Sequence, residues 1–204
     1  MVQSPAVRYH IDAHDRLDAV GGGWAAFAES NDGSALSESK ILGRVIWEFV
    51  SDPTTVVLYT AMLKRARLGG PPIRFRFRCD SPGRRRLLSM ELAAEPGGGV
   101  MFVVTPVQEE LRAPEPLLDA AREASAEILT MCAWCQRVRV TAGMAGSWVE
   151  VEEAVAGLVT FTRDPLPRLS HGICPPCAET MSRMIDDVTG ADAVPATVGA
   201  FTLR

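Results

Sequence analysis

The sequence has no run of roughly 18 apolar residues, the length that a membrane-crossing helix needs. Its first residues, Met1-Val2-Gln3-Ser4-Pro5, lack the basic-then-apolar pattern of a secretory leader. Positive charge is not in excess: 21 Lys and Arg against 25 Asp and Glu give a net charge of −4, which argues against general nucleic-acid binding. Catalytic signatures are missing as well. No glycine loop ends in Lys-Ser/Thr, no His-Glu-x-x-His lies on a helix, and no Gly-x-Ser-x-Gly occurs. No kinase region follows the front half. Together these absences lead us to expect a cytosolic, non-enzymatic protein, with neither a membrane nor a nucleic acid as partner.

What is present is ordinary globular composition: 204 residues, 47 % of them hydrophobic and 23 % charged. That length suits one domain and a smaller module. Of the five cysteines, four form two Cys-x-x-Cys pairs: Cys132-Ala133-Trp134-Cys135, then Cys174-Pro175-Pro176-Cys177 after 38 intervening residues. Each pair can fold back and direct two sulfurs at one centre, and four soft donors are the set that tetrahedral zinc prefers. A reducing compartment favours metal over disulfides for such pairs.

Cys132, Cys135, Cys174 and Cys177 are therefore the candidate zinc ligands. With all four positions taken by sulfur the site is closed to water, hence structural rather than catalytic. It would hold together a 52-residue segment with few large apolar residues of its own. Two separate dithiols without metal, or an iron–sulfur cluster, use the same residues. His171, three residues before Cys174, is either a neighbour donating a hydrogen bond to a sulfur or backbone group, or an alternative ligand in a Cys3His set. Trp134 is expected to shield the site from water.

The front half reads in order as strand, strand, short helices, longer helix and three strands. Val7 to Asp12 alternates, Leu17 to Val20 returns, and glycines 21 to 23 break the pattern. Trp24, Ala25, Phe27 and Ala28 have helical spacing, and Leu36, Ile41, Leu42 and Val45 suggest short turns. Asp52-Pro53 starts a helix that runs to about Leu68, with Val56, Val57, Tyr59, Thr60, Leu63 and Ala66 on its apolar side. Gly69-Gly70-Pro71-Pro72 ends it. Ile73 to Asp80 and Arg86 to Ala94 alternate, and Val100 to Val107 is nearly all apolar, as a central strand would be.

This order, with Tyr9-x-Ile11-Asp12, Trp24-x-x-Phe27-Ala28, Leu42-Gly43-Arg44-x-Ile46-Trp47 and Phe77-Arg78-Cys79-Asp80-Ser81-Pro82, resembles a bacterial PAS-like sensory family over about residues 7–107. The resemblance implies a five-stranded antiparallel sheet cupped by helices with a cavity between. It also implies sensing or dimerisation rather than catalysis. The fold class expected is thus α+β. The cavity residues would be Trp24, Phe27, Trp47, Tyr59, Phe75, Phe77, Cys79 and Met90, either lining a small-molecule site or filling a core. Cys79 reads as a small buried hydrophobe rather than a sensor thiol. Neither His10 nor His14 is placed to ligate a haem.

Pro114 and Pro116 mark the end of the sensor region, expected over 1–112. Leu117, Leu118, Ala121, Ala124, Ile128 and Leu129 then fall at spacings of three and four, which predicts an amphipathic connecting helix over about 113–131. Such a helix either packs on a second copy or lies on its own sheet. The cysteine-rich module follows over 132–188, with a strand at 136–140, a strand-then-helix at 148–155, a loop at 162–168 and a helix at 178–188. A tail fills 189–204. Cys132-x-Trp134-Cys135, Trp148 and Ser170-His171-Gly172-Ile173-Cys174-Pro175-x-Cys177 resemble a small module attached to bacterial sensory and response-regulator proteins, over about 131–182. Partners are expected to be a second copy, through the sensor domain or connecting helix, and a signalling protein.

Arg74, Arg76, Arg78, Arg84, Arg85 and Arg86 form a basic patch on adjacent strands. Like charges on neighbouring strands repel, so they need acidic partners or an anion. Asp80, Glu91 and the acidic helix expected to follow the sheet are the candidates. A patch neutralised within the chain and a docking face are the two readings. The alternative function is a thiol switch, in which oxidation joins each Cys-x-x-Cys pair and releases the metal.

Overall fold

A computed structural model describes residues 5–29, 33–50, 52–119, 121–140, 146–157 and 165–186. The front half is a five-stranded antiparallel sheet in the order β2-β1-β5-β4-β3. Its strands are β1 (Val7–Ile11), β2 (Leu17–Gly22), β3 (Ile73–Arg78), β4 (Arg84–Ala94) and β5 (Val100–Leu111). First and last strands meet at the centre, where Val7 pairs with Val104 and Ile11 with Val100. β4 then pairs with β5 from Ala94↔Val100 to Arg84↔Leu111. Period-two patterning sets the two faces. Ile73 and Phe75 are buried in β3, while Arg74 and Arg76 between them are exposed. β4 and β5 run past the ends that alternation alone suggests, because each supplies the other's backbone partners. Gly22 belongs to β2 rather than to a break. Its φ of +63° and the Ala6 carbonyl, 2.1 Å from where a Cβ would stand, leave room only for glycine.

Helices α1 (Trp24–Glu29), α2 (Glu38–Ile41) and α3 (Pro53–Arg67) lie between β2 and β3. Asp52 caps α3: its Oδ2 accepts from the Thr55 N–H at 2.7 Å, and Pro53 takes the first helical position. The buried stripe is Thr55, Leu58, Met62, Leu63 and Ala66. Val57, expected inward, is 44 % exposed. The stripe packs on Ile11, Leu92 and Phe102 of the sheet.

A second, mixed sheet has the order β8-β7-β6-β9. Its strands are β6 (Ile128–Cys132), β7 (Val138–Val140), β8 (Ser147–Val149) and β9 (Arg168–Gly172). β6 and β9 pair in parallel, the other pairs antiparallel. Helix α4 (Val151–Gly157) follows β8, as the strand-then-helix reading anticipates. Helix α5 (Pro175–Asp186) starts three residues before the expected helix, so Cys177 lies in its first turn. Met181 and Ile185 are buried, and Met184 is half-buried against the same core. The expected loop at 162–168 is described only from residue 165, where Arg168 already belongs to β9. The expected tail, and the end of the first helix near Asn31, lie outside the described residues.

The connecting helix over 113–131 is corrected. In its place stand a single 3-10 turn (Pro116–Leu118), non-helical chain and β6. The turn is capped by Glu115, whose side chain accepts from the Leu117 N–H. Leu117 is 1 % exposed, in a small core with Met131, Val138, Val140 and Val151. Helical spacing loses here because the backbone finds other partners. Residues 128–132 pair in register with 168–172, and Ser125 donates to Leu166. Ile128, placed on the apolar stripe by the helical reading, is 67 % exposed.

The larger core does not stop at the five-stranded sheet. It continues through Trp134, Cys132, Ile173, Cys174, Met181 and Ile185. No helix among the described residues is long and apolar enough to cross a membrane.

Candidate metal centre

The two cysteine turns are brought together by the parallel pairing of β6 with β9, which sets Cys132 beside Gly172. The first turn reverses immediately after β6. Cys132 N–H donates to Arg137 O (2.7 Å), and Gln136 N–H to Cys132 O (2.9 Å). Gln136 closes it with a φ of 59°, a left-handed conformation that side chains other than glycine's rarely take. Ala133 N–H then bonds Gly172 O at 2.8 Å, tying the first turn to the strand that leads into the second. The second turn runs into α5, where Ala178 N–H donates to Cys174 O.

The sulfurs of Cys132, Cys135, Cys174 and Cys177 all lie within 4.8 Å of one another. Cys135 and Cys174, one from each pair, are 3.7 Å apart. A tetrahedral ion with metal–sulfur bonds of about 2.3 Å sets its sulfurs about 3.8 Å apart. All four cysteines are unbridged, and 3.7 Å is far beyond the roughly 2.05 Å of a disulfide. Two independent dithiols would not need sulfurs from different turns in contact. A cluster of several irons would stand between its thiolates and hold them farther apart than a single ion does. The donor set and its spacing therefore fit one tetrahedral ion.

The electrostatics point the same way. Hydrogen bonds from Cys135, Cys174 and Cys177 hold the Cys132 thiol far below the usual thiol range. Cys135 comes down to about 7: Cys132 opposes its ionisation, while Cys174 and Cys177 favour it. Cys174 and Cys177 are pushed far up, first of all by their bonds to Cys132. One sulfur gives up its proton readily and the last two hold theirs, as expected of like charges crowded in a half-buried site. A cation at the centre would remove that conflict. The Cys174 N–H already faces Cys132 Sγ at 3.4 Å. Arg137, held first by Glu150 at 3.0 Å, also feels the sulfurs of Cys135 and Cys174.

Among the described residues the converging group is made of cysteines alone. His171 stands on β9 opposite Met131, and burial lowers its pKa, which keeps the ring neutral near pH 7. Trp134 reaches into the front core. It is 6 % exposed and packs 6.0 Å from both Tyr59 and Phe75, while its carbonyl accepts from the Arg78 N–H at 2.7 Å. The first cysteine turn is thus plugged into the front core.

The eight expected residues share one core rather than one cavity: Phe75 and Met90 are buried in it, and Trp24, Phe27, Trp47, Tyr59, Phe77 and Cys79 pack against it. Tyr59, Phe75 and Phe77 share a cavity of about 210 Å³ with Trp134 and His171. Trp24 lines another beside α1 and α2, and Phe27 a third under Arg84 and Arg86. Trp47 donates to Asp15 at 2.9 Å. Met90 is buried with its sulfur 3.7 Å from the Tyr59 hydroxyl. Cys79 is half-buried, and that burial raises its thiol pKa. Of the histidines, His10 bonds Asp18 and His14 lies near Asp12.

Arg74, Arg78, Arg84 and Arg85 of the basic patch are met by carboxylates of the same chain. Arg74 pairs with Glu91 at 2.6 Å, Arg84 with Glu109, and Arg85 with Glu152 at 2.8 Å. Arg78 pairs with Asp80 and Glu150, and Arg112 with Glu152 at 2.7 Å and Asp80 at 3.4 Å. Asp80, with its side chain fully buried, is the hub; its own N–H donates to Gln136 Oε1. Asp80 and Glu91 match expectation. The remaining partners are Glu109, Glu150 and Glu152, not the acidic stretch at 115–127. Sequence reasoning missed Gln136, Arg137 and Glu150. Their only signal is that Gln136 and Arg137 directly follow Cys135. Neither a family model nor a curated protein matches this sequence.

Proposed function

We propose that the chain is a bacterial signalling or regulatory protein in which a PAS-like sensory sheet is joined to a zinc-holding module and acts through protein contacts. The observation that carries the metal half is the convergence of four cysteine sulfurs from two distant turns. The sensory half is supported by the antiparallel order β2-β1-β5-β4-β3 with all three front helices between β2 and β3. That is the sheet cupped by helices which the resemblance implies. Zinc is preferred over other ions because four thiolates and a closed tetrahedron are its usual structural environment. Cys132, Cys135, Cys174 and Cys177 would hold it, and it would supply cross-linking rather than reactivity. Output passes to a second copy or another signalling protein, without catalysis.

Elemental analysis with thiol titration tests this reading. About one zinc per chain is expected, with four thiols protected until the metal is removed. Folded protein as isolated without metal would sink it.

A thiol switch is the second reading, favoured by the half-buried state of Cys135 and Cys177 beside the covered Cys132 and Cys174. In that scheme peroxide takes two electrons from each Cys-x-x-Cys pair. A sulfur–sulfur bond forms, the O–O bond breaks to give water, and the ion leaves. Zinc retained through mild peroxide treatment would rule the switch out.

A further inference from the structure

A cavity of about 310 Å³ lies between α1 and the inner face of the five-stranded sheet, at the end where β4 begins. Val7, Phe27, Leu88 and Val104 give it apolar walls, and Arg84, Arg86 and Glu109 line it too. Small-molecule sites begin at about this volume, and they are typically apolar with a few placed polar groups. Among its described lining residues, none belongs to either cysteine turn.

The register of β4 brings charge to this apolar space. Residues 84, 86 and 88 share one face of the strand, and the burial of Leu88 makes it the inner face. On β5 an extra residue, Val107, separates the partners of Leu87 and Leu88 and turns Glu109 onto the same face, opposite Arg86. An apolar pair, Leu88 with Pro106, is thus followed by a charged one. Arg86 reaches across to the helix: its guanidinium carbon lies 5.4 Å from the ring centre of Phe27 on α1. Arg84 stands at the mouth, its side chain 55 % exposed and its Nη1 bonded to Glu109. Among the described residues that is its only bond, which leaves the Nε–Nη2 edge, a fork that matches a carboxylate. Two arginines against one glutamate make this end of the cavity positive.

We propose that this cavity binds a medium-chain fatty acid, its tail among Val7, Phe27, Leu88 and Val104 and its carboxylate on the open edge of Arg84. Arg86 adds positive charge behind the head, and Glu109 tempers it. The inference deepens the sensory reading above, on which only its use as a signal rests. The metal plays no part in it.

Octanoate and octan-1-ol provide the test, since they share a tail and only the first carries charge. Each is titrated into the full-length protein as purified and followed by the methyl signals of Val7, Leu88 and Val104. Octanoate is expected to move those signals saturably, and octan-1-ol to bind about tenfold more weakly, because a charge-assisted bond is lost. Arg84→Gln should weaken octanoate binding about tenfold. Glu109→Gln, which removes a like charge beside the head, should tighten it about twofold. No saturable shift at the three methyls overturns the proposal, and so does equal affinity for the two probes. Octanoate binding that is unchanged or weaker in Glu109→Gln overturns it as well, because the open arginine edge would then not hold the head. Zinc content of the same samples reports on the metal separately, so the cavity and the metal reading can fail one without the other.

Discussion

The five-stranded sheet and the cysteine region solve the same problem by different means. The first buries Ile11, Ile41, Met62, Leu63, Leu92 and Phe102 almost completely, and β3, β4 and β5 pair over long stretches with neighbours close in sequence. The second has strands of three to five residues and a small core of its own around Leu117, Val138 and Val151. A core of that size rarely holds a fold by itself, and a metal at the four sulfurs would supply what burial does not. The contrast is not between two independent bodies, since Trp134 and Ile173 extend the front core into the cysteine turns. The region that the proposed ion would tie together also leans on the sheet.

The sharpest way to break this comparison is Cys174→Ser. It should bring zinc from about one per chain to near zero and cost the cysteine region more than about 5 kcal/mol. Amides of β6, β7 and β9 should lose their protection from hydrogen exchange, while those of β4 and β5 keep most of theirs. Equal loss in both regions would mean that the sheet depends on the ion too.

Phe102→Ala probes the other side. Phe102 is fully buried at the centre of the sheet, and its removal should cost about 4 kcal/mol. Because the core is shared, the urea midpoint should fall for both regions together, in contrast to the cysteine variant.

Asp80→Asn tests the clasp between them. The buried carboxylate joins Arg78 and Arg112 and accepts the Arg86 N–H. Its loss should cost about 2 kcal/mol in urea unfolding, with zinc content unchanged.

The smallest effect concerns acid. Burial alone would raise the Glu150 pKa, but hydrogen bonds from Arg78 and Arg137 outweigh it and hold it below the usual carboxylate range. Its contribution is therefore complete above the ordinary Glu pKa of about 4.3 and is lost as pH falls through the lowered folded value. The stability gap between the native chain and Glu150→Gln should be constant near neutrality and shrink below about pH 4. A gap that stays the same at both ends would show that the pairing with Arg78 and Arg137 contributes nothing.

Much of the front half was legible because its signals are local. Period-two alternation in β3 and β4, the Asp52-Pro53 helix start and the glycine-rich stops all depend on near neighbours. The four cysteines were legible because their chemistry demands one another. The segment over 113–131 was not, because helical spacing of Leu117, Ala121 and Ile128 carries no record of the parallel strand 40 residues away that claims residues 128–132. The same holds for the arginine patch. Arg85 and Arg112 meet Glu152, and Arg78 meets Glu150, only after the second sheet has folded against the first. Trp134 was expected at the metal, and its contacts with Tyr59 and Phe75 depend on how the turn docks. Gln136 occupies a left-handed turn position where sequence rules expect glycine or asparagine.

X-ray absorption at the zinc edge, on the full-length protein as purified, measures the inner coordination directly. Four sulfurs at about 2.3 Å and no nitrogen or oxygen neighbour are the predicted result. A shell that contains a histidine nitrogen, or folded protein with no metal to measure, would contradict it.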